Sequence, residues 1–401
     1  MPTLGVRIAH AADIHLGARP YRIVERERDI YVAFNELVKR VIEERAEVLV
    51  LAGDIFDQSI PRNSARKVFR DALRKLKERG IRVVGILGDH DLPKMYDVPS
   101  TADLSPEEFL LLEAAPGERS SIKALSVPYY HDGDKDLLIT GLCARRYGKR
   151  ENIGDALRTA ERLLQGHRIR VLVLHQAIHE KWPFDITGIP MGMIPRDVHY
   201  VAMGHIHNRF EMKWNSGRLV YPGSIEALRK DEWNGGKKGF YIIDLDGDSV
   251  ETQFIVLESV RPQREFRLGT DSPEELREFL ESSKKKPILH ILVPAGMPRE
   301  RYFRLLEELR RAAPLGPEAG RVLTVRIHFE RAREEGGAGP EAPPERVGLE
   351  DVIKEVAGDR AELIIDLLNI VKNVERDRLE KELERRILEW VESEDRKGEI
   401  G

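Results

Sequence analysis

With 401 residues the chain is long enough for two or three domains; its composition, 41% hydrophobic and 33% charged, with no apolar run near the roughly 20 residues that cross a bilayer, excludes a membrane protein. The start, MPTLGVRIAH, enters a strand-like segment without a basic and apolar leader, so the expected location is cytoplasmic, nucleoid-associated if the source is prokaryotic. The single cysteine, Cys143, excludes an internal disulfide or a thiolate cage, leaving His, Asp, Glu or Asn for any metal, while a formal net charge of −4 gives no global attraction to nucleic acid.

From residue 1 to about 258, short β-rich runs such as VLVLAGD, VVGILGD, VLVLHQ, YVAMGH and GFYIIDL alternate with amphipathic stretches at residues 27–45 and 62–79. This reads as one α/β domain whose near-continuous apolar strands imply sheets covered on at least one face by helices. At Arg261-Pro262 the pattern becomes strand, helix, strand, helix, strand, with the first helix opened by the cap-like Asp271-Ser272-Pro273-Glu274; residues 259–332 are expected to form a small α+β capping domain. Residues 333–348 are rich in Gly, Pro and Glu and read as a flexible linker. Residues 349–396 form a helical tail whose apolar stripe includes Ile364, Leu367, Leu368, Val371, Leu383 and Ile387, a pattern suited to docking on a partner or to packing back on the chain itself.

The strongest chemical signal is where the polar residues fall. Apolar strand runs end in Asp13 and His15, in Asp54, in Asp89 and His90, in His175, and in His205 and His207. In α/β sheets ligands gather beyond the carboxyl ends of strands, so these side chains are delivered to one rim. Residues at i and i+2 of an extended segment point the same way, so Asp13 with His15, and His205 with His207, are each expected to form a pincer. A lone Asp after a strand is usually a turn former, but this many metal-capable residues at strand ends argue for a metal site. Mixed carboxylate and imidazole donors suit manganese, iron or zinc better than calcium. Two such ions about 3.5–4 Å apart promote in-line attack on a phosphoester. The remaining histidines, His10, His131, His167, His179, His199, His290 and His328, are expected to be structural or solvent-facing.

The series D-x-H, G-D-x-x-D, G-D-H-D, H and G-H-x-H resembles the calcineurin-like metallophosphoesterases, which implies a phosphoesterase domain of two packed sheets flanked by helices. More narrowly, ADIHLG, AGDIFD, LHQ, AMGHIH and YPGSIE followed by KKGFYIID look like the branch of SbcD and the meiotic-recombination-eleven proteins, the nuclease subunits of archaeal-type and other double-strand-break repair complexes. The resemblance implies a manganese-dependent 3′ to 5′ exonuclease and single-strand endonuclease, with two Mn2+ per chain and Mg2+, Fe2+ or Zn2+ as alternatives. It implies that Asp13, His15, Asp54 and His207 hold one ion and Asp54, Asp89, His175 and His205 the other, with Asp54 as the bridge. His90 corresponds to the histidine that meets the scissile phosphate and serves as general acid, and Asp91 to a residue that fixes the turn. The implied partners are DNA, a second copy of the chain, and an SMC-like coiled-coil ABC ATPase of SbcC type bound by the tail.

Two residues depart from the pattern. Asp89 stands where the family usually has Asn, adding one negative charge to the ligand set and removing an amide donor for phosphate. Asp57 stands where archaeal and eukaryotic relatives commonly have His and where SbcD-type proteins have Asp. Among polar residues in loops that could face DNA, Arg19, Ser224 and Lys238 are the candidates for contact. The alternative readings are a phosphodiesterase or phosphatase of the same superfamily, and a DNA-tethering subunit with weak nuclease activity.

Overall fold

The computed structural model describes residues 5–92, 100–101, 104–112, 130–144, 150–185, 188–233, 237–312 and 321–330, together with single helical positions between 362 and 390. In chain order the elements are β1 (Val6–Ala11), α1 (Val24–Glu43), β2 (Val48–Ala52), α2 (Asn63–Lys77), β3 (Arg82–Ile86), β4 (Leu110–Leu111), β5 (Tyr130–Asp132), β6 (Leu137–Leu142), α3 (Arg150–Leu164), β7 (Ile169–His175), β8 (Tyr200–Gly204), β9 (Phe210–Trp214), β10 (Gly217–Tyr221), β11 (Gly239–Leu245) and β12 (Val250–Val256). A smaller set follows: β13 (Gln263–Arg267), α4 (Pro273–Ser282), β14 (Ile288–Val293), α5 (Arg299–Ala312) and β15 (Thr324–Phe329).

Strands β12-β11-β1-β2-β3-β4 form one sheet and β5-β6-β7-β8-β10-β9 a second. The apolar runs explain why the two sheets stack. Successive side chains of a strand face opposite ways, so Val48, Val50 and Ala52 of β2 meet Val171 and Val173 of β7 and Ala202 of β8 in the layer between the sheets. The alternate residues Leu49 and Leu51 face outward against α1 and α2, packing with Phe34, Leu37 and Phe69. On the far side Leu172 and Leu174 turn to α3, against Ala156, Leu157 and Ala160. A strand buried on both faces has to read as continuous hydrophobe, and these do. His10 is fully buried between the sheets, its Nδ1 2.9 Å from the hydroxyl of Tyr200; burial pushes that imidazole down to about 3, so it stays neutral.

Within each sheet the central pairs β1-β2, β2-β3, β6-β7 and β7-β8 are parallel, so their carboxyl ends collect on one edge. That shared edge is the rim on which the candidate site is built.

Strands β13-β14-β15 form a parallel three-stranded sheet, covered by α4 and α5 over a core of Phe266, Leu276, Leu289, Ile291 and Leu309. The Ser272 hydroxyl accepts from the backbone N–H of Glu275 and Pro273 occupies the first turn of α4, the cap its sequence predicts. The small sheet is joined to the large body through buried charge. Arg26 is fully buried on α1 and donates to Asp29 at 2.8 Å, Glu226 at 3.2 Å and the carbonyl of Ala227 at 2.7 Å. Arg261, in the segment entering β13, donates to the same Asp29 at 2.5 and 2.8 Å and to the carbonyl of Lys286 at 2.5 Å. Buried charges of this kind are tolerated because each is paired and hydrogen-bonded; removal of one partner leaves an uncompensated charge and costs about 3–5 kcal/mol.

The chain separates into two compact units, Met1–Glu330 and Arg331–Gly401. In the second, Leu367 is helical and partly buried, and Arg386 pairs with Asp366 at 2.5 Å across 20 residues of sequence. The linker expected at 333–348 lies outside the described residues, as do Ile364, Leu368, Val371, Leu383 and Ile387. Among the described residues no helix is long and apolar enough to cross a membrane.

Candidate metal centre

All seven expected ligands converge at the carboxyl edge of the sheets, in two groups whose ligand atoms lie within 4.8 Å of one another: Asp13, His15, Asp54 and His207 in one, Asp89, His175 and His205 in the other. Asp54 stands between them. Its Oδ2 lies 3.5 Å from His15 Nε2 and 3.5 Å from His175 Nε2, one imidazole from each group.

The backbone has to bend sharply to bring these side chains together. Asp13, His15, Asp54 and His205 have φ of 52°, 50°, 49° and 90°, so four of the nine non-glycine residues with positive φ among those described are in the site. Each such bend costs roughly 1–2 kcal/mol and persists because the surroundings impose it. The pincer expectation is corrected here. Asp13 and His15 do share a group, but through left-handed turns rather than an extended strand, and His205 and His207 part to different groups. Two glycines make the close approach possible. A Cβ at Gly53 would lie 2.3 Å from His175 Nδ1, and one at Gly88 would lie 2.1 Å from Asp54 Oδ1.

Hydrogen bonds behind the imidazoles aim them. His175 Nδ1 donates to the carbonyl of Ala52 at 2.8 Å, which turns Nε2, buried and without a hydrogen-bond partner, toward Asp54. His207 Nδ1 donates to Glu232 at 2.8 Å, and its Nε2 lies 3.1 Å from His15 Nε2. His205 has Nε2 2.7 Å from Asp185 and Nδ1 3.2 Å from Asp89. A carboxylate or carbonyl holding the far nitrogen is how metal-binding histidines have their tautomer set. An orphaned buried imidazole nitrogen beside a carboxylate, and two Nε2 atoms facing each other, are what a divalent cation would satisfy; the donor set fits one on each side of Asp54.

The charges agree. Burial pushes His175 down, but Asp54, Asp13 and Asp89 outweigh it and lift it to about 10. Burial works against His205 and His207 too, yet Asp89 and Asp185 raise the first and Glu232 and Asp13 raise the second. Burial alone would lift Asp54; His175, His15 and His90 hold it well below the ordinary carboxylate range. The site is therefore rich in negative charge, which the raised imidazoles partly offset and which divalent cations would neutralise.

The family model for calcineurin-like phosphoesterases matches residues 6–209, just over half of the chain and all of the strand ends that carry ligands from Asp13 to His207. The chain belongs to the calcineurin-like phosphoesterase family. It is similar to the DNA double-strand break repair protein Mre11 of Saccharolobus solfataricus, at 31% identity over 94% of this chain and 97% of the relative. The protein of the same name from Sulfurisphaera tokodaii is 32% identical over 77% of this chain and 79% of the relative, and that from Thermoplasma acidophilum 30% over 73% and 77%. The phosphoesterase motifs and the narrower branch read from the sequence thus agree with these matches, and a metal-dependent phosphoesterase is what the family comprises.

Around the phosphoesterase centre, His90 is exposed at the rim. Its backbone N–H donates to Asp54 Oδ1 at 2.9 Å, its Nδ1 donates to the carbonyl of Asp57 at 2.7 Å, and its ring stands edge-on to His15 with centroids 4.7 Å apart. Asp91 takes no ligand position. Its carboxylate accepts from the backbone N–H groups of Ile55, Phe56 and Gly88, stapling two of the ligand-bearing turns together, and burial beside Asp54 lifts it to about 6. The Asp57 carboxylate lies 3.6 Å from His15 Nδ1.

Two of the expected DNA contacts are corrected. Ser224 is fully buried, donating to the carbonyl of Glu226, and Lys238 is 5% exposed, its amine donating to Ser224 Oγ and to the carbonyl of His207 at 2.9 Å each. Their polar atoms support the loop carrying His207 and do not face a substrate. Arg19 is partly exposed and paired with Glu27. Sequence reasoning missed Glu232 and Asp185, which orient His207 and His205. Glu232 ends a single 3-10 turn beside Asp231 and Asp185 lies in an irregular segment, and nothing in the local pattern marks either.

Proposed function

We propose that this phosphoesterase is a two-metal DNA nuclease acting in double-strand-break repair, in which Asp13, His15, Asp54 and His207 hold one divalent ion and Asp54, Asp89, His175 and His205 the other. The observation that carries the reading is the Asp54 carboxylate, set 3.5 Å from an imidazole of each group, where a shared ligand has to stand. Two bound ions would make water a nucleophile at neutral pH and neutralise the charge that develops on the phosphate. Manganese is the ion we assign, with Mg2+, Fe2+ or Zn2+ as alternatives, because the donors are carboxylates and imidazoles without thiolate.

His90 is the general acid for the departing 3′-oxygen. The Asp57 carbonyl holds its Nδ1, which keeps the ring at the rim and leaves Nε2 for the substrate. DNA is the substrate favoured by the similarity to DNA double-strand break repair proteins, and 3′ to 5′ exonuclease and single-strand endonuclease activities by the motifs of the branch. Arg19, beside the ligand loop, is the remaining candidate for a phosphate contact. Residues 259–332 act as a capping domain, the chain pairs with a second copy through helices of the first domain, and the amphipathic tail at 349–396 docks on an SMC-like ATPase across the 333–348 linker. Support for the tail is its apolar stripe; support for pairing is the exposure of Val24 and Val32 on α1 and of Ile60 before α2.

The test is cleavage by the full chain, with Mn2+, of linear duplex DNA, of a single-stranded hairpin loop and of bis-p-nitrophenyl phosphate. Manganese-dependent cutting of both DNAs that disappears in Asp54→Ala is expected. Hydrolysis of the small ester alone would move the chain to the general phosphodiesterases, and no cleavage of any substrate would make it a tethering subunit.

A further inference from the structure

A second cluster of imidazole and carboxylate donors lies at the opposite end of the second sheet from the catalytic rim. His131 on β5, Asp136 in the turn entering β6 and His167 in the loop entering β7 each offer one ligand atom, and these atoms lie within 4.8 Å of one another. Strand β7 runs seven residues from beside this cluster to His175. At about 3.3 Å per residue it separates the two places by roughly 20 Å.

The donors are already aimed. The Asp136 carboxylate is held from two sides, Oδ1 2.8 Å from His167 Nδ1 and Oδ2 accepting from the backbone N–H of Arg168 at 2.8 Å. With Nδ1 donating to a fixed carboxylate, His167 keeps a lone pair on Nε2, the arrangement found behind metal-bound histidines. The second imidazole stands beside it, the rings of His131 and His167 lying edge to face with centroids 5.1 Å apart. His131 is exposed, and the side chains of His167 and Asp136 are 25% and 45% exposed, so an ion has open access and water can complete its coordination. Two imidazoles beside a carboxylate favour Zn2+, Ni2+ or Co2+ over Mn2+, which ranks lowest among the first-row divalent ions for nitrogen donors.

We propose that His131 and His167, with Asp136 fixing the second, form a third metal site for a zinc-like transition ion, separate from the catalytic pair. Held there, the ion would tie the β5-β6 hairpin to the start of β7. It is a structural site, and it stands apart from the assignment of the catalytic reaction.

The experiment counts ions on the full chain after equilibrium dialysis, once against Zn2+ and once against Mn2+, by elemental analysis. Three Zn2+ are expected on the unaltered chain and two on the His131→Ala/His167→Ala double variant, with two Mn2+ on both and Mn2+-dependent cleavage of DNA the same. Asp136→Asn, which keeps an oxygen acceptor for the Arg168 N–H, should retain the fold and weaken the third Zn2+ about 10- to 100-fold, the usual cost of losing an orienting carboxylate. Two Zn2+ on the unaltered chain, or a third that persists in the double variant, would overturn the proposal.

Discussion

In the group of Asp13, His15, Asp54 and His207 three members follow β1 and β2 and only His207, after β8, reaches appreciable solvent, whereas in the group of Asp89, His175 and His205 both Asp89 and His205 are about one-fifth exposed. The first is bent into place by three left-handed residues and backed by buried Glu232. The second is fixed at His175 by a core carbonyl, but His205 leans on Asp185, a side chain 24% exposed in an irregular segment. One half of the centre is thus set by the sheets themselves, and the other rests partly on surface loops. Differences in metal preference between such enzymes are expected to arise in the second half.

The largest effect should come from the residue that belongs to both halves. Asp54→Ala removes the shared carboxylate and also the acceptor for the His90 backbone N–H. Cleavage with Mn2+ should fall at least about 10²–10³-fold, the scale on which one preorganised electrostatic group acts, and fewer than two Mn2+ should remain on dialysis. Retention of two ions would mean that the halves are independent sites.

Glu232→Gln and Asp185→Asn compare the supports of the two halves directly. Loss of a carboxylate behind a metal-bound imidazole weakens that ion about 10- to 100-fold. The effect of Glu232→Gln should lie at the upper end, since Glu232 is buried and also holds the Leu228 N–H at 2.8 Å. Asp185→Asn should fall at the lower end because water can replace part of its role. Titration of Mn2+ against activity checks both; equal shifts would erase the distinction between the halves.

Most of the residues gathered at the rim were legible because each follows an apolar run, and a run that must be buried on both faces fixes where the strand ends. Asp13, Asp54, Asp89, His175 and His205 could be placed on one rim from that alone. The helix-covered sheets of the large domain and the alternating strands and helices of the small one follow from the same periodicity. What the pattern could not carry is anything set by chain reversal or by contacts distant in sequence. The left-handed turns at Asp13 and His15, the pairing of His207 with Glu232 and the stapling of two turns by Asp91 all depend on segments brought together by the fold. Ser224 and Lys238 show the converse error. A serine and a lysine in loops look like surface, yet both are buried, Ser224 donating to the carbonyl of Glu226 and Lys238 to that of His207, because buried backbone carbonyls have to be satisfied.

Metal and protons compete for the same nitrogens, which gives a pH test. In the metal-free chain His175 is lifted to about 10, and His205 and His207 are raised as well, so below those values metal binding must displace protons. The apparent Kd for Mn2+ should fall about tenfold per pH unit for each proton displaced, so raising pH from 6 to 8 tightens binding. Stability follows with the opposite sign for the chelated protein. A histidine whose folded pKa is raised contributes stability that is complete below its unfolded value of about 6.5 and is lost as pH rises toward 10. The Tm gap between Mn2+-loaded and chelated protein should therefore widen from pH 6.5 upward. A gap independent of pH would exclude His175 as a ligand that exchanges its proton for metal.

The smallest effect and the sharpest comparison belong to Asp89. It lies 3.2 Å from His205 Nδ1, and although burial pushes its carboxyl up, His205 and His175 bring it below the ordinary range, so it is ionised. An ionised carboxylate only accepts, whereas the amide usual in the family binds metal through its oxygen and leaves an N–H for phosphate. Asp89→Asn removes one negative charge from the half of the centre that already meets solvent. A partly screened charge of that kind is worth about 1 kcal/mol, so Mn2+ binding should weaken roughly fivefold while turnover at saturating Mn2+ rises by a similar factor. The variant should also discriminate less between Mn2+ and Mg2+, because the charge that favours the more tightly held ion is gone. Unchanged turnover and unchanged metal preference would mean that the second half tolerates either residue, and that the exposure of Asp89 lets water screen its charge completely.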